Sequence, residues 1–495
     1  MELKVRLLKL SAGIPVAMIS LETAEIMGIH ENDRVSIEKL SSKEDGEFST
    51  IVDVVEKIVE DGEIGISSEI KESFNLKNGE KVDVNIANPP KSLEYIRKKM
   101  DKKRLSKEEI KEIIKDIVHN SLSDPEIALF VSGMYENKMD FRETIDLIES
   151  FVESGEQLSF KGKFIVDKHC IGGIPGNRTT PIVVSICASA GLTFPKSSSK
   201  AITSAAGTAD VIDSIAKVEF SKDELKKIID KTGAFMIWGG SIELVPADSK
   251  IIRIEKMLKI DPKAQLLASI LSKKLAVGSK YVLIDIPYGK SAKVDKKGAL
   301  ELKKSFEKFG KYFKLYLRAI LTKGDEPIGN GVGPFLELAD VIKVLNLSED
   351  CPEDLKKKSL FLSGQILEMT GKAKKGEGVN MATEILNSGR AFEKFIQIIK
   401  AQKGSIKHIG FGKFKKDILE KSSGKITEID NIKINLLARI AGCPVDKSSG
   451  LYIYFHVGEK IKAGDKILTI YSESKPRLKE ALRYYHREKP VKVVK

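Results

Sequence analysis

Two stretches of the chain concentrate groups that hold anions. Residues 167–181 read DKHCIGGIPGNRTTP and place a lysine, three glycines and two threonines ahead of an apolar run. Glycine lets backbone N–H groups come close to an anion, and a following helix start adds positive potential. Lys168 supplies a full charge. Thr179 and Thr180 add hydroxyls, although the same pair serves equally well as ordinary helix caps. Residues 196–208 read KSSSKAITSAAGT, with four serines, two threonines, two lysines and no carboxylate. A solvated loop has that composition too, and a single loop serine is most simply bonded to its own backbone.

The spacing excludes two common phosphate motifs. No G-x-x-x-x-G-K-[ST] runs through residues 167–181, which argues against an ATPase or kinase, and the G-x-G-x-x-G spacing of dinucleotide-binding folds is absent. The four cysteines, Cys170, Cys187, Cys351 and Cys443, are scattered without a C-x-x-C pair, so neither a zinc site nor a disulfide framework is expected. No metal and no cofactor is expected.

These residues need elements to position them. Residues 1–88 are rich in Val and Ile with frequent turn signals, which predicts a small β-rich domain closed off by the prolines of ANPPKS. Ser106 and Glu109 form a capping-box pattern before a helix whose face carries Ile110, Ile113, Ile114, Ile117 and Val118. A second helix is expected to start at Asp124-Pro125 with Asp124 as its cap, and a third at Asp140 and Glu143. The pattern then alternates. A strand is expected at Phe164–Val166, a helix at Pro181–Ala190, a strand at Leu192–Phe194 and another at Val282–Ile286. Such alternation indicates an α/β domain with a largely parallel sheet, in which ligands bind in loops beyond the carboxyl ends of strands. Both anion-holding stretches fall there. The segments GKITEID, GLYIYFHVGEKIKAGDKILTIYS and VKVVK read as C-terminal β structure. Val457–Ile470 resembles the hammerhead of biotinyl and lipoyl carriers but lacks their lysine motif, so it is read as structural.

The chain has 495 residues, 42% apolar and 31% charged, with a formal net charge of +13. Its lysines are interspersed with glutamates and no arginine-rich tail or aromatic–basic ladder occurs, so nucleic-acid binding is not expected. The first residues carry no apolar run suited to a signal peptide or a membrane span, and a cytoplasmic location is expected.

Four motifs occur in order: VDKHCIGG (166–173), GTAD (207–210), LVPAD with LLASILSKKLAVG (244–248 and 266–278), and GDEPIGNGVGPFLELADV (324–341). On these motifs the chain resembles the thymidine/pyrimidine-nucleoside phosphorylase family from about residue 92 to the end. KHCIGG replaces the KHSTGG of pyrimidine-specific members, and SSSKAITSAAGT replaces their glycine-rich segment. Both departures, and an extra N-terminal domain, resemble the archaeal branch of the family that acts on AMP.

The resemblance implies an α/β fold with a helical domain facing it across a cleft, plus the β-rich N-terminal domain and a β-rich C-terminal region. The expected boundaries are 1–88; 92–158 with 245–278 for the helical domain; 160–244 with 279–340 for the α/β domain; and 341–495. It implies phosphorolysis of AMP to adenine and ribose 1,5-bisphosphate, with CMP and UMP left open as substrates. It places Lys168, Thr179 and Thr208 on phosphate, and Gly173, Ser199, Lys200, Ala201, Ile202, Thr203, Ser204, Thr208, Ser269 and Lys293 on AMP. Lys290 competes with Lys293. Arg253, Ser269 and Lys273 fall on the base side, and Asp261 falls on the proton donor, although Asp261-Pro262 is also a good helix start. A second dianion beside the attacking phosphate explains why a nucleotide site needs extra donors. Cys170 is not read as a nucleophile, because the reaction needs no covalent step. The expected partners are AMP, inorganic phosphate and further copies of the chain, at least a dimer, with residues 1–88 as the oligomerisation domain. Two enzyme alternatives stay open: a pyrimidine nucleoside phosphorylase, or a Mg²⁺-dependent phosphoribosyltransferase of the same fold, whose metal-holding Asp-Glu pair has no counterpart between Trp238 and Lys293, while Asp325-Glu326 lies inside the phosphorylase-like GDEPIGNG phrase. A non-catalytic nucleotide sensor or scaffold is the rival from another class.

Overall fold

The computed structural model describes residues 1–11, 15–40, 47–201, 204–407 and 410–494. The chain divides into two compact units, residues 1–154 with 246–269, and residues 155–245 with 270–495. The division runs inside one helix, Lys263–Ala276.

The first unit begins with a closed six-stranded barrel. Its strands, in order around the barrel, are Glu2–Leu7, Glu63–Ile66, Ala17–Ser20, Glu47–Val55, Arg34–Lys39 and Lys81–Ile86. Alternate residues fill it: Leu3, Val5, Val35, Ile37, Val82 and Val84 are almost wholly buried. Closure leaves no unpaired edge, which is how so small a β unit satisfies its backbone. Helices follow at Ser92–Met100, Lys107–Val118, Asp124–Glu136 and Phe141–Glu153, joined by Pro246–Leu258 from later in the chain. Capping boxes at Ser106/Glu109 and Asp140/Glu143 fix two of the starts as expected. The third differs: Ser123 is the cap, boxed with Glu126, and Asp124 is already the first helical residue. Pro125 tolerates either register, and Glu126 decided it because its carboxylate reaches the Ser123 N–H at 2.6 Å. The same carboxylate takes both hydrogen bonds from Arg34 NH2 (2.9 and 2.7 Å), tying the barrel to the helices.

In the second unit, strands Val166–Cys170, Tyr281–Tyr288 and Tyr316–Lys323 run parallel, with Tyr281–Tyr288 in the centre. Phe194–Ser198 pairs in parallel with Ala234–Trp238, and a parallel bridge at Ile165 and Thr193 links the two sets. The parallel arrangement follows the expectation, but two strands are displaced along the chain. Val166–Cys170 extends through DKHC, and Phe194–Ser198 takes in Lys196, Ser197 and Ser198. Part of the serine-rich stretch is therefore buried strand and not loop. The helix Thr179–Ser189 starts two residues earlier than its apolar run suggested, and its buried side chains share one core with helices Glu353–Met369, Gly378–Asn387 and Arg390–Ala401. Two antiparallel sheets close the unit. Val457–Ile470 forms no single hairpin: Lys460–Ile461 joins one sheet and Lys466–Ser472 the other. No helix among the described residues is long and apolar enough to cross a membrane.

Candidate active site

Residues Lys168, Gly173, Thr179, Ser199–Ser204, Thr208, Lys273 and Lys293 belong to the second unit, and Arg253, Asp261 and Ser269 to the first. Ile202 and Thr203 lie outside the described residues.

The strand Val166–Cys170 sends Asp167 and His169 to one face and Lys168 and Cys170 to the other. Lys168 is buried, and its Nζ donates to the Thr179 hydroxyl at 2.7 Å. Burial pushes its pKa below the usual lysine value. On the same face Asp285 accepts from the Thr322 hydroxyl at 2.6 Å and lies 3.1 Å from Lys358. Burial alone would raise the Asp285 carboxyl, but Lys358 and Lys168 hold it below its ordinary range. Burial raises the Cys170 thiol, so the reactive thiolate is disfavoured. Asn177 Nδ2 donates to its sulfur at 3.4 Å.

The opposite face holds charges that the sequence reading missed. Asp167 is fully buried and accepts from Lys274 (2.7 Å), Lys196 (3.2 Å) and the Lys168 backbone N–H (2.6 Å). Two buried ammonium groups share one carboxylate, and burial brings Lys274 down to about 7. Burial, then the lysines around it, push His169 well below the ordinary imidazole value.

The loop after Cys170 turns on glycines. Gly172 and Gly173 have φ of +92° and +93°, and a Cβ on Gly173 would lie 3.0 Å from the backbone N of Lys293. The glycine loop and Lys293 are thus brought together. Gly176 does another job: its φ is +66°, and a Cβ would meet the carbonyls of Ile328 and Gly331 at 2.3 and 2.8 Å, so it serves close packing and not an anion. Lys290 lies 3.0 Å from Glu428 on the surface.

Thr208 opens the short helix Thr208–Asp213. Its hydroxyl accepts from Arg178 NH1 at 2.7 Å. In the preceding loop several expected donors are already engaged. The backbone N–H groups of Ala201 and Gly207 both donate to Asp210 (2.6 and 2.7 Å), Ala205 N–H donates to Asn435 (3.0 Å), and the Ser204 hydroxyl donates to the Ala206 carbonyl (3.0 Å). These bonds fold Ala201, Ala205 and Gly207 back onto Asp210 and Asn435. Ser199 is exposed, and Lys200 stands 4.1 Å above the Trp238 ring and 3.7 Å from Glu219.

In the first unit the helix Lys263–Ala276 begins with the Leu266 N–H bonded to the Pro262 carbonyl at 2.9 Å. Pro262 takes the cap position and Asp261 stands one residue outside it, exposed. Arg253 pairs with Asp124. Of the alternative acidic pair, Glu326 accepts from the Val457 N–H at 2.8 Å and contacts His456 Nδ1 at 3.2 Å. Among the described residues no group of three or more His, Cys, Asp or Glu side chains is arranged to hold a metal ion.

Three family regions match in order: the glycosyl transferase family helical bundle domain over residues 93–155, the glycosyl transferase family a/b domain over 162–308, and the pyrimidine nucleoside phosphorylase C-terminal domain over 425–491. The chain is 43% identical to the AMP phosphorylase of Thermococcus sibiricus, covering 100% of this chain and 98% of the relative, and 42% identical to that of Pyrococcus furiosus, covering 99% and 97%. It is 40% identical to a putative thymidine phosphorylase of Legionella pneumophila strain Paris over 87% of this chain and 83% of the relative. The crystal structure of anthranilate phosphoribosyltransferase from Thermus thermophilus matches 62% of this chain and 99% of its own with a TM-score of 0.52 at 16% identity, a likeness of fold. With three family regions matched in order and 99–100% of its length shared with the Thermococcus and Pyrococcus relatives, the chain belongs to the AMP phosphorylases of the nucleoside phosphorylase family.

Proposed function

We propose that the chain catalyses phosphorolysis of AMP by inorganic phosphate, giving adenine and ribose 1,5-bisphosphate. The observation that carries this reading is the state of the two threonines. Thr179 and Thr208 each accept a hydrogen bond from a cationic side chain, so each has its own O–H proton left to donate. Two preset donors beside a buried lysine suit an anion's oxygens and nothing neutral as well. The full-length similarity to AMP phosphorylases supplies the nucleotide.

In this reading inorganic phosphate sits by Lys168, Thr179, Thr208 and the Gly173 loop. The 5′-phosphate of AMP is held by residues 199–204 and Lys293, with Ser269, Lys273 and Arg253 on the base side. The C1′–N bond breaks as Asp261 gives its proton to a ring nitrogen, and a phosphate oxygen takes C1′. CMP and UMP are further candidate substrates. The enzyme works in the cytoplasm as an oligomer of at least two copies, with residues 1–88 as the contact. Light scattering on a chain lacking residues 1–84 tests the last point, and an unchanged particle size refutes it.

The decisive assay follows base release from AMP, adenosine, thymidine, CMP and UMP, with and without EDTA. Turnover of AMP but not adenosine, insensitive to EDTA, is expected. Turnover of nucleosides alone would favour the second reading, a thymidine phosphorylase, which the similarity to the Legionella protein keeps in view. Loss of turnover in EDTA would favour the phosphoribosyltransferase chemistry.

Two substitutions refine the site. Lys168→Met is expected to lower kcat/KM by roughly a hundredfold or more, the scale of losing a preorganised charge on the reacting group. Its thermal stability should be kept or raised, because a desolvated ammonium is removed. Lys293→Ala is expected to raise KM for AMP about tenfold, the scale of one charge-assisted contact, while Lys290→Ala leaves it unchanged. Equal effects from both lysines in steady-state kinetics would remove Lys293 from the nucleotide site.

A further inference from the structure

Arg178 has no assigned role, yet it is the most heavily bonded side chain around the two threonines. It occupies the N-cap position of the helix Thr179–Ser189, between the glycine loop and Thr179. Its Nε donates to Glu337 at 2.8 Å and its NH2 lies 2.7 Å from the same carboxylate. NH2 also donates to the Ala206 carbonyl at 2.8 Å, and NH1 to the Thr208 hydroxyl at 2.7 Å. Glu337 is 1% exposed and its other oxygen accepts from the Gly333 N–H at 3.1 Å, so the carboxylate is pinned to the backbone that precedes its own helix.

We infer that Arg178 is a positioning residue for phosphate: it orients the Thr208 hydroxyl and clamps the Ala206–Thr208 segment against the helix that carries Thr179. The argument is one of donor geometry. A threonine hydroxyl has one proton and two lone pairs, and its rotor is otherwise unconstrained. With Arg178 occupying a lone pair, the proton cannot point at the arginine and is left for an acceptor on the other side. Lys168 does the same for Thr179. The planar guanidinium reaches Glu337, Ala206 and Thr208 at once because its donors form a rigid fork, which a lysine cannot imitate. Asp210 holds the far side of the same segment through Gly207 and Ala201. Arg178 touches no reacting atom in this scheme and acts through Thr208.

The inference rests on the reading of the site as one for AMP and inorganic phosphate, and the test separates the two. Arg178→Lys keeps the charge opposite Glu337 but loses the fork. It is expected to raise KM for phosphate about tenfold, the scale of one charge-assisted hydrogen bond, with kcat within about threefold of the parent. Thr208→Val alone should raise KM for phosphate similarly. The two together should cost little more than either, because each removes the same interaction. A purely structural arginine would give additive losses, or a fall in kcat with KM unchanged, and either result overturns the inference. Arg178→Met combined with Glu337→Leu removes the buried pair as a unit, and should fold and show the same KM defect. Calorimetric binding of inorganic phosphate alone reads the effect without AMP. Weakened phosphate binding in Arg178→Lys, in an enzyme that fails to cleave AMP, would sink the substrate assignment and keep the positioning role. AMP turnover in the parent with unaltered phosphate binding in Arg178→Lys would do the reverse.

Discussion

Asp167→Asn is expected to destabilise the protein by about 3–5 kcal/mol, the cost of leaving a buried charge without its partner. Asp167 is the only carboxylate bonded to Lys196 and Lys274 among the described contacts, and all three side chains are nearly or wholly buried. The asparagine would leave two ammonium groups facing a neutral amide. Lys274→Met is the informative contrast. It leaves Asp167 paired with Lys196 and takes the cluster from one excess positive charge to none, so its cost should be about 1 kcal/mol or less. Thermal and urea unfolding of the two variants measure this directly. An Asp167→Asn protein as stable as its parent would mean that the cluster is hydrated and not a buried ionic unit. The pH dependence carries the sign. Lys274 titrates at about 7 in the folded chain against an ordinary value of 10.5. Below about 7 both folded and unfolded chains hold the proton; between about 7 and 10.5 the unfolded chain holds more. Stability from this group therefore rises with pH across that window, and Lys274→Met should flatten the rise.

Asp261→Asn should lower kcat for AMP by roughly a hundredfold to ten-thousandfold, the range for losing a general acid, with KM for phosphate little changed. The loss should depend on the leaving group. Adenine needs a proton to depart, whereas p-nitrophenolate does not, so a ribose 5-phosphate carrying p-nitrophenolate at C1′ should lose far less. Equal loss on both substrates would show that Asp261 supports the local structure and donates no proton. It stands exposed two residues before the first residue of the helix Lys263–Ala276, next to Pro262, whose carbonyl accepts from the Leu266 N–H.

The legible parts of this protein were local or shared with a family. Capping boxes at Ser106/Glu109 and Asp140/Glu143 span three residues, so their partners were visible in the chain itself. The alternation of apolar runs gave a parallel α/β unit, and the N-terminal β pattern gave a β unit that closes as a barrel. The motifs around Lys168, Thr208 and GDEPIGNG carried the family. Strand ends were less legible: Lys196 and Ser197 are polar residues in a buried strand, and hydropathy reads polar residues as loop.

Sequence alone therefore determined the repertoire of groups and the order of the elements, because caps, turns and apolar periodicity depend on neighbours a few residues away. Tertiary structure alone decided which charges meet. Arg178 finds Thr208 and Glu337, 30 and 159 residues distant, and Asp167 finds Lys274 at 107. The one signal available beforehand was a charged residue inside an apolar pattern, as with Asp167 in FIVDKHC or Glu337 in PFLELADV, since a carboxylate is buried there only with a partner. That signal says a partner exists, not which one. Partner choice is settled by desolvation, which makes an ion pair strong or costly only after packing has excluded water from both groups.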